Sequence, residues 1–84
     1  MSGEKGKDID YDEELDTRGL YCPEPLFEVR NLSESLEVGQ CFKVLADDPA
    51  AEEDIPRLVK RLEQQLVEMH KEKDQFHFLI KKIK

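Results

Sequence analysis

Leu20-Tyr21-Cys22-Pro23-Glu24-Pro25-Leu26 is the stretch from which the rest of the chain is read. A cysteine stands directly before a proline, and a second proline follows two residues later. Proline is tolerated in the first helical turn, where its missing N–H has no intrahelical partner to lose. The stretch therefore predicts a helix starting at Pro23, with Cys22 as its N-cap or the residue beside the cap. A thiol there lies in the positive field of the helix N-terminus, which favours thiolate. Because Pro23 and Pro25 lack N–H groups, the first donors of the helix are Glu24 and Leu26, expected to orient toward the sulfur or a substituent on it. The Glu24 carboxylate acts the other way, since nearby negative charge disfavours a thiolate. A small buried cysteine near a turn is the competing reading.

The helix should run from Pro23 to Leu36, with Leu26, Val29, Leu32 or Ser33, and Leu36 as its buried stripe. Phe27 and Arg30 project to a different side, one turn from Cys22. Before the motif, Tyr11 to Thr17 is a weak strand, broken by Arg18-Gly19; Gly19 permits a turn or a close backbone approach. After the helix, Gly39 suits a left-handed C-terminal position. Gln40 to Ala46 is the best strand, with Phe42, Val44 and Ala46 facing the helices and Cys41, Lys43 and Leu45 facing away. Asp47-Asp48-Pro49 is a turn. A second helix opens at Asp54-Ile55-Pro56, with Pro56 in its first turn, and buries Ile55, Leu58, Val59 and Leu62. From about Gln65 a hairpin with a turn near Lys73-Asp74 pairs Met69 with Phe78 and Val67 with Ile80.

The order strand, helix, strand, helix, strand, strand predicts an α+β fold. It is a two-layer α/β sandwich, with two helices on one face of a four-stranded mixed sheet. Eighty-four residues hold one domain at most. Residues 1–10 are polar and read as a disordered tail, leaving 11–84 as the domain. No apolar run approaches the ~20 residues of a membrane helix, and the charged N-terminus has no apolar signal core. The expectation is a cytoplasmic protein with reduced thiols and no direct membrane contact. The formal charge of -7 argues against nucleic acid as a direct ligand. The five lysines between Lys71 and Lys84 read as protection of an edge strand.

Two cysteines are too few for a disulfide scaffold or a zinc site, and without Cys-x-x-Cys there is no resolving thiol at the usual spacing. A parallel first strand pair puts Cys41 at the far end of the sheet from Cys22, so Cys41 is structural. His70 and His77 become cross-strand neighbours with Glu68 as the one obvious third ligand. They read as a half-exposed polar pair away from the Cys22 end, and no metal is expected.

The residues Leu15-Asp16-Thr17-Arg18-Gly19-Leu20-Tyr21-Cys22-Pro23-Glu24-Pro25 resemble the signature of the TusA/SirA-like sulfur carrier proteins. The similarity continues through Gly39, Ala46-Asp47-Asp48-Pro49-Ala50, Asp54-Ile55-Pro56 and Phe76 to Lys82. The resemblance implies the sandwich above and no cofactor. It implies that Cys22 accepts a persulfide sulfur from a cysteine desulfurase or rhodanese-type donor and relays it to an acceptor protein. Typical use is tRNA 2-thiouridine synthesis; other relatives serve sulfur oxidation or molybdenum-cofactor assembly. Carried over, Cys22 takes the persulfide, Pro23 and Pro25 hold the helix start, and Gly19 gives backbone room. Relatives often have a glycine near the end of the second helix and Asp-Gly at the last turn, where this chain has Gln64-Gln65 and Lys73-Asp74-Gln75. Phe27, Arg30 and Asp48 are candidates for a docking surface. Such a protein is a transfer partner more than a stand-alone enzyme. A non-catalytic regulatory or protein/RNA-binding module is the alternative.

Overall fold

The computed structural model describes residues 11–21 and 23–84; the tail expected over 1–10, and Cys22, lie outside the described residues. The elements are β1 (Glu13–Asp16), α1 (Glu24–Ser35), β2 (Cys41–Ala46), α2 (Ala51–Arg61), β3 (Gln65–Glu72) and β4 (Gln75–Lys81). They form a four-stranded sheet in the order β1-β2-β4-β3. β1 runs parallel to β2, and the other two pairs are antiparallel. This is the expected mixed sheet.

Alternation along β2 and β4 sets the two layers. Phe42, Val44 and Ala46 point to the helices and are fully buried, as are Phe78 and Ile80. Val29 from α1 and Ile55 and Val59 from α2 close over them. Each such Phe or Ile side chain contributes on the order of 1.5–3 kcal/mol by leaving water. Among the described residues the opposite face carries no helix. Leu45 and Leu79 nevertheless keep only 7% exposure there. Their cross-strand neighbours are Asp16 and His77 for Leu45, and Lys43 and Glu68 for Leu79.

Several expectations need correction. α2 begins at Ala51, not Asp54, and Pro56 lies inside it. A proline there withholds the N–H that the Glu52 carbonyl would accept; Glu52 is exposed. The acidic run Glu52, Glu53 and Asp54 fills the first turn, where the helix dipole favours it. In the hairpin Met69 pairs with Phe78 as expected, but Ile80 pairs with Leu66, because the register shifts between Leu66 and Glu68. The extra residue, Val67, is a β-bulge that lets Leu66 and Met69 both face the helices. β4 is interior, so of the five lysines only Lys71, on β3, lies on an edge strand.

α2 ends in a Schellman motif: the Glu63 N–H reaches the Lys60 carbonyl and the Gln64 N–H the Val59 carbonyl. The left-handed residue is Glu63, at φ 63, a place that usually selects glycine. Gly39 has positive φ as expected, but within a separate turn closed by Gln40 N–H to Glu37 C=O, after the helix has ended.

Where β1 ends, Thr17 is fully buried. Its N–H and its hydroxyl both donate to the Leu45 carbonyl, at 2.8 and 2.6 Å. Replacing Thr17 with valine keeps the shape and the backbone bond but loses the hydroxyl. We expect Thr17→Val to lower unfolding free energy by about 1 kcal/mol in urea titrations; an unchanged midpoint would show that the hydroxyl adds nothing.

Candidate functional site

The motif sits where β1 hands the chain to α1. Thr17 to Leu20 form a turn closed by Leu20 N–H to Thr17 C=O at 3.1 Å. Gly19, its third residue, has φ +87, the conformation that selects glycine in such turns. A Cβ there would meet no atom within 4 Å, so the turn and not a close approach requires the glycine. The Gly19 N–H donates to Asp47 Oδ1 at 3.0 Å, tying the turn to the end of β2. Arg18 grips Asp16 through Nε at 2.9 Å and Nη2 at 2.7 Å, and its own N–H donates to Asp16 as well. These bonds hold the Asp16 carboxyl down to about 2.

Of the residues expected to carry chemistry, Cys22 lies outside the described residues, while both of its chain neighbours are described. Tyr21 is 72% exposed. Pro23 is the N-cap, α1 starts at Glu24, and Pro25 is the buried second helical residue. The first helical donors are engaged by nearby backbone carbonyls. The Glu24 N–H donates to the Tyr21 carbonyl at 2.8 Å, and the Leu26 N–H to the Pro23 carbonyl at 3.0 Å. The chain curls back on itself before the helix is established, so both donors close the local turn. What α1 offers an anion at this end is its dipole, not a set of open amides.

The docking candidates divide. Phe27 is 56% exposed. Arg30 is exposed and lies 3.4 Å from Glu34 across one turn of α1. Asp48 accepts the Ala50 N–H at 3.1 Å and borders a shallow groove with Pro25, Leu26, Ala51, Asp54 and Ile55. Asp48 is thus part of the α2 entry as well as of the surface. Asp47 was not singled out from the sequence; its signal was its place in the shared Ala46-Asp47-Asp48-Pro49-Ala50 segment.

Cys41 begins β2, and its N–H donates to Asp12 at the other end of the sheet from Gly19 and Asp47. The histidines are cross-strand neighbours as expected. They are not remote from the motif edge: His77 pairs with Leu45, which pairs with Asp16. The acid that joins them is Glu72, not Glu68, which shares their face but pairs with Leu79 on the other side of His70. Burial lowers the His77 pKa, helped by His70, Lys43 and Arg18 and opposed by Glu72. Among the described residues no helix is long and apolar enough to cross a membrane.

The arrangement is a two-layer sandwich of the SirA-like kind. A SirA-like protein of Desulfitobacterium hafniense has the same fold, with a TM-score of 0.76 at 20% identity, covering 87% of this chain and all of that one. The family model described as sulfurtransferase TusA matches residues 13–82, and the chain belongs to that family. A protein of Archaeoglobus fulgidus, provisionally named a sulfur carrier protein, is 53% identical over 72 residues, which are 84% of this chain and 94% of that one. The sulfur carrier protein TusA of Allochromatium vinosum is 38% identical over 73 residues, 87% of this chain and 96% of its own.

Two outcomes are expected. Gly19→Ala forces a side chain into the left-handed region at a cost of roughly 1–2 kcal/mol, read as a lowered urea midpoint with the fold intact by circular dichroism. Stability should also fall as pH drops below about 6.5, the ordinary histidine value, because the unfolded chain then binds a proton that native His77 resists. His77→Gln should flatten that fall in urea titrations between neutral and mildly acidic pH; an unaltered pH dependence would assign it to other groups.

Proposed function

We propose that this chain is a sulfur carrier whose working group is the Cys22 thiolate. The observation that carries the reading is the TusA match over residues 13–82, together with relatives named as sulfur carriers. In the first step the Cys22 thiolate attacks the terminal sulfur of a donor persulfide, on a cysteine desulfurase or a rhodanese-type protein. A new S–S bond forms on Cys22, the donor's S–S bond breaks, and the donor leaves as thiolate. In the second step an acceptor thiolate attacks the terminal sulfur of the Cys22 persulfide, and the Cys22 thiolate leaves. No electrons are gained or lost overall, so no cofactor is called for.

The surroundings suit exchange between proteins. Exposed Tyr21 and Phe27 offer aromatic area for transient docking beside the motif. Cys41, at the opposite end of the sheet, is badly placed to intercept the cargo as a disulfide. Downstream, tRNA 2-thiolation through a relay protein is the first pathway to test, with sulfur oxidation and molybdenum-cofactor assembly as alternatives. A cytoplasmic setting, where thiols stay reduced, suits all three.

Incubation with a cysteine desulfurase and cysteine, followed by mass spectrometry, should add about 32 Da, the mass of one sulfur, to the peptide carrying Cys22. The adduct should vanish in Cys22→Ser and persist in Cys41→Ser. An adduct that survives Cys22→Ser would sink the assignment.

A further inference from the structure

The open face of the sheet carries a cluster that sulfur transfer does not use. His70 on β3 lies directly opposite His77 on β4, and Glu72 follows two residues after His70 on the same face. The two imidazoles stack at 4.6 Å between centroids, 5° from parallel. One ligand atom from each of His70, Glu72 and His77 lies within 4.8 Å of the others. His77 is the informative member. Its side chain is 15% exposed, and its Nδ1 is buried with no hydrogen-bond partner. Its Nε2 stands 3.7 Å from Glu72 Oε1, beyond hydrogen-bond distance. Buried imidazole nitrogens ordinarily find a partner, and this ring lacks a good one while facing a carboxylate and a second imidazole.

We propose that His70, Glu72 and His77 form a binding site for a divalent ion of the zinc class. Two imidazoles and a carboxylate, with water in the fourth position, are a donor set that Zn²⁺ accepts. Copper(II) would bind the same donors more tightly. At Zn–ligand bonds of about 2.0–2.1 Å, tetrahedral geometry puts ligand atoms roughly 3.4 Å apart. His70 and Glu72 are exposed and free to turn inward by that margin. The parallel stack must open, because stacked rings aim their lone pairs side by side. The side chain of His77, held between strands, serves as the fixed ligand. Lys43 and Arg18 are cations close enough to act on His77; they oppose a metal ion and keep the affinity modest. The site lies in the row of residues across the sheet that also holds Leu45 and Asp16, so a bound ion would add positive charge at the end of the sheet from which the loop into α1 leaves.

The test is calorimetric titration of zinc chloride into the full chain and into Cys22→Ser, paired with NMR of the histidine side-chain nitrogens. One ion per chain should bind in both, moving the imidazole signals of His70 and His77 together. His70→Gln, at an exposed position that leaves the core untouched, should weaken binding by roughly tenfold or more, and Glu72→Gln should weaken it as well. Zinc binding that is absent, that survives His70→Gln undiminished, or that disappears in Cys22→Ser would overturn the site.

Discussion

The Leu45 carbonyl holds the architecture of the motif end together. It receives both the N–H and the hydroxyl of Thr17, so the last residue before the turn is locked to the middle strands. A buried threonine with both donors satisfied cannot slide, since any shift strands polar groups away from water. From that anchor the chain has three residues in which to turn, and Gly19 and Asp47 close the turn against the end of β2. α1 then starts at a defined height above Phe42 and Val44. The core is small, and its register is set by this polar clamp as much as by apolar volume.

The layers were legible because their signals are periodic. Phe42-Val44-Ala46 and Phe76-Phe78-Ile80 alternate cleanly, and Val29, Ile55 and Val59 recur at helical spacing. The cross-strand histidines followed from the two-residue turn at Lys73-Asp74, which survived the loss of an Asp-Gly there by placing Lys73 at φ 57. What escaped the sequence was non-periodic. Pro56 reads as a helix start because proline usually is one; tertiary burial of Ala51 pulled the helix back by a turn. Val67 reads as an inward residue until a bulge removes it from the register. The third acid of the histidine cluster was misassigned for a different reason: Glu68 and Glu72 flank His70 on one face, and alternation alone does not choose between them.

At the motif itself, the backbone arithmetic was half right. Two prolines do leave Glu24 and Leu26 as the first donors of α1, but a donor count gives no direction. The Tyr21 and Pro23 carbonyls claim the two N–H groups. Sequence spacing cannot show this, because it depends on the angle at which the helix leaves the sheet.

That self-closure matters for a station that must give up what it takes. Open amides at a helix start grip an anion and make it a poor traveller, as in sites built to trap developing charge. With the Glu24 and Leu26 amides engaged, the end of α1 offers an anion only the diffuse charge of its dipole, equivalent to about half an elementary charge. A weak grip keeps neither the loaded nor the empty form in a deep well. On the function proposed above, handover between proteins of similar thiol chemistry would then run close to thermoneutral, its direction set by supply at one end and consumption at the other.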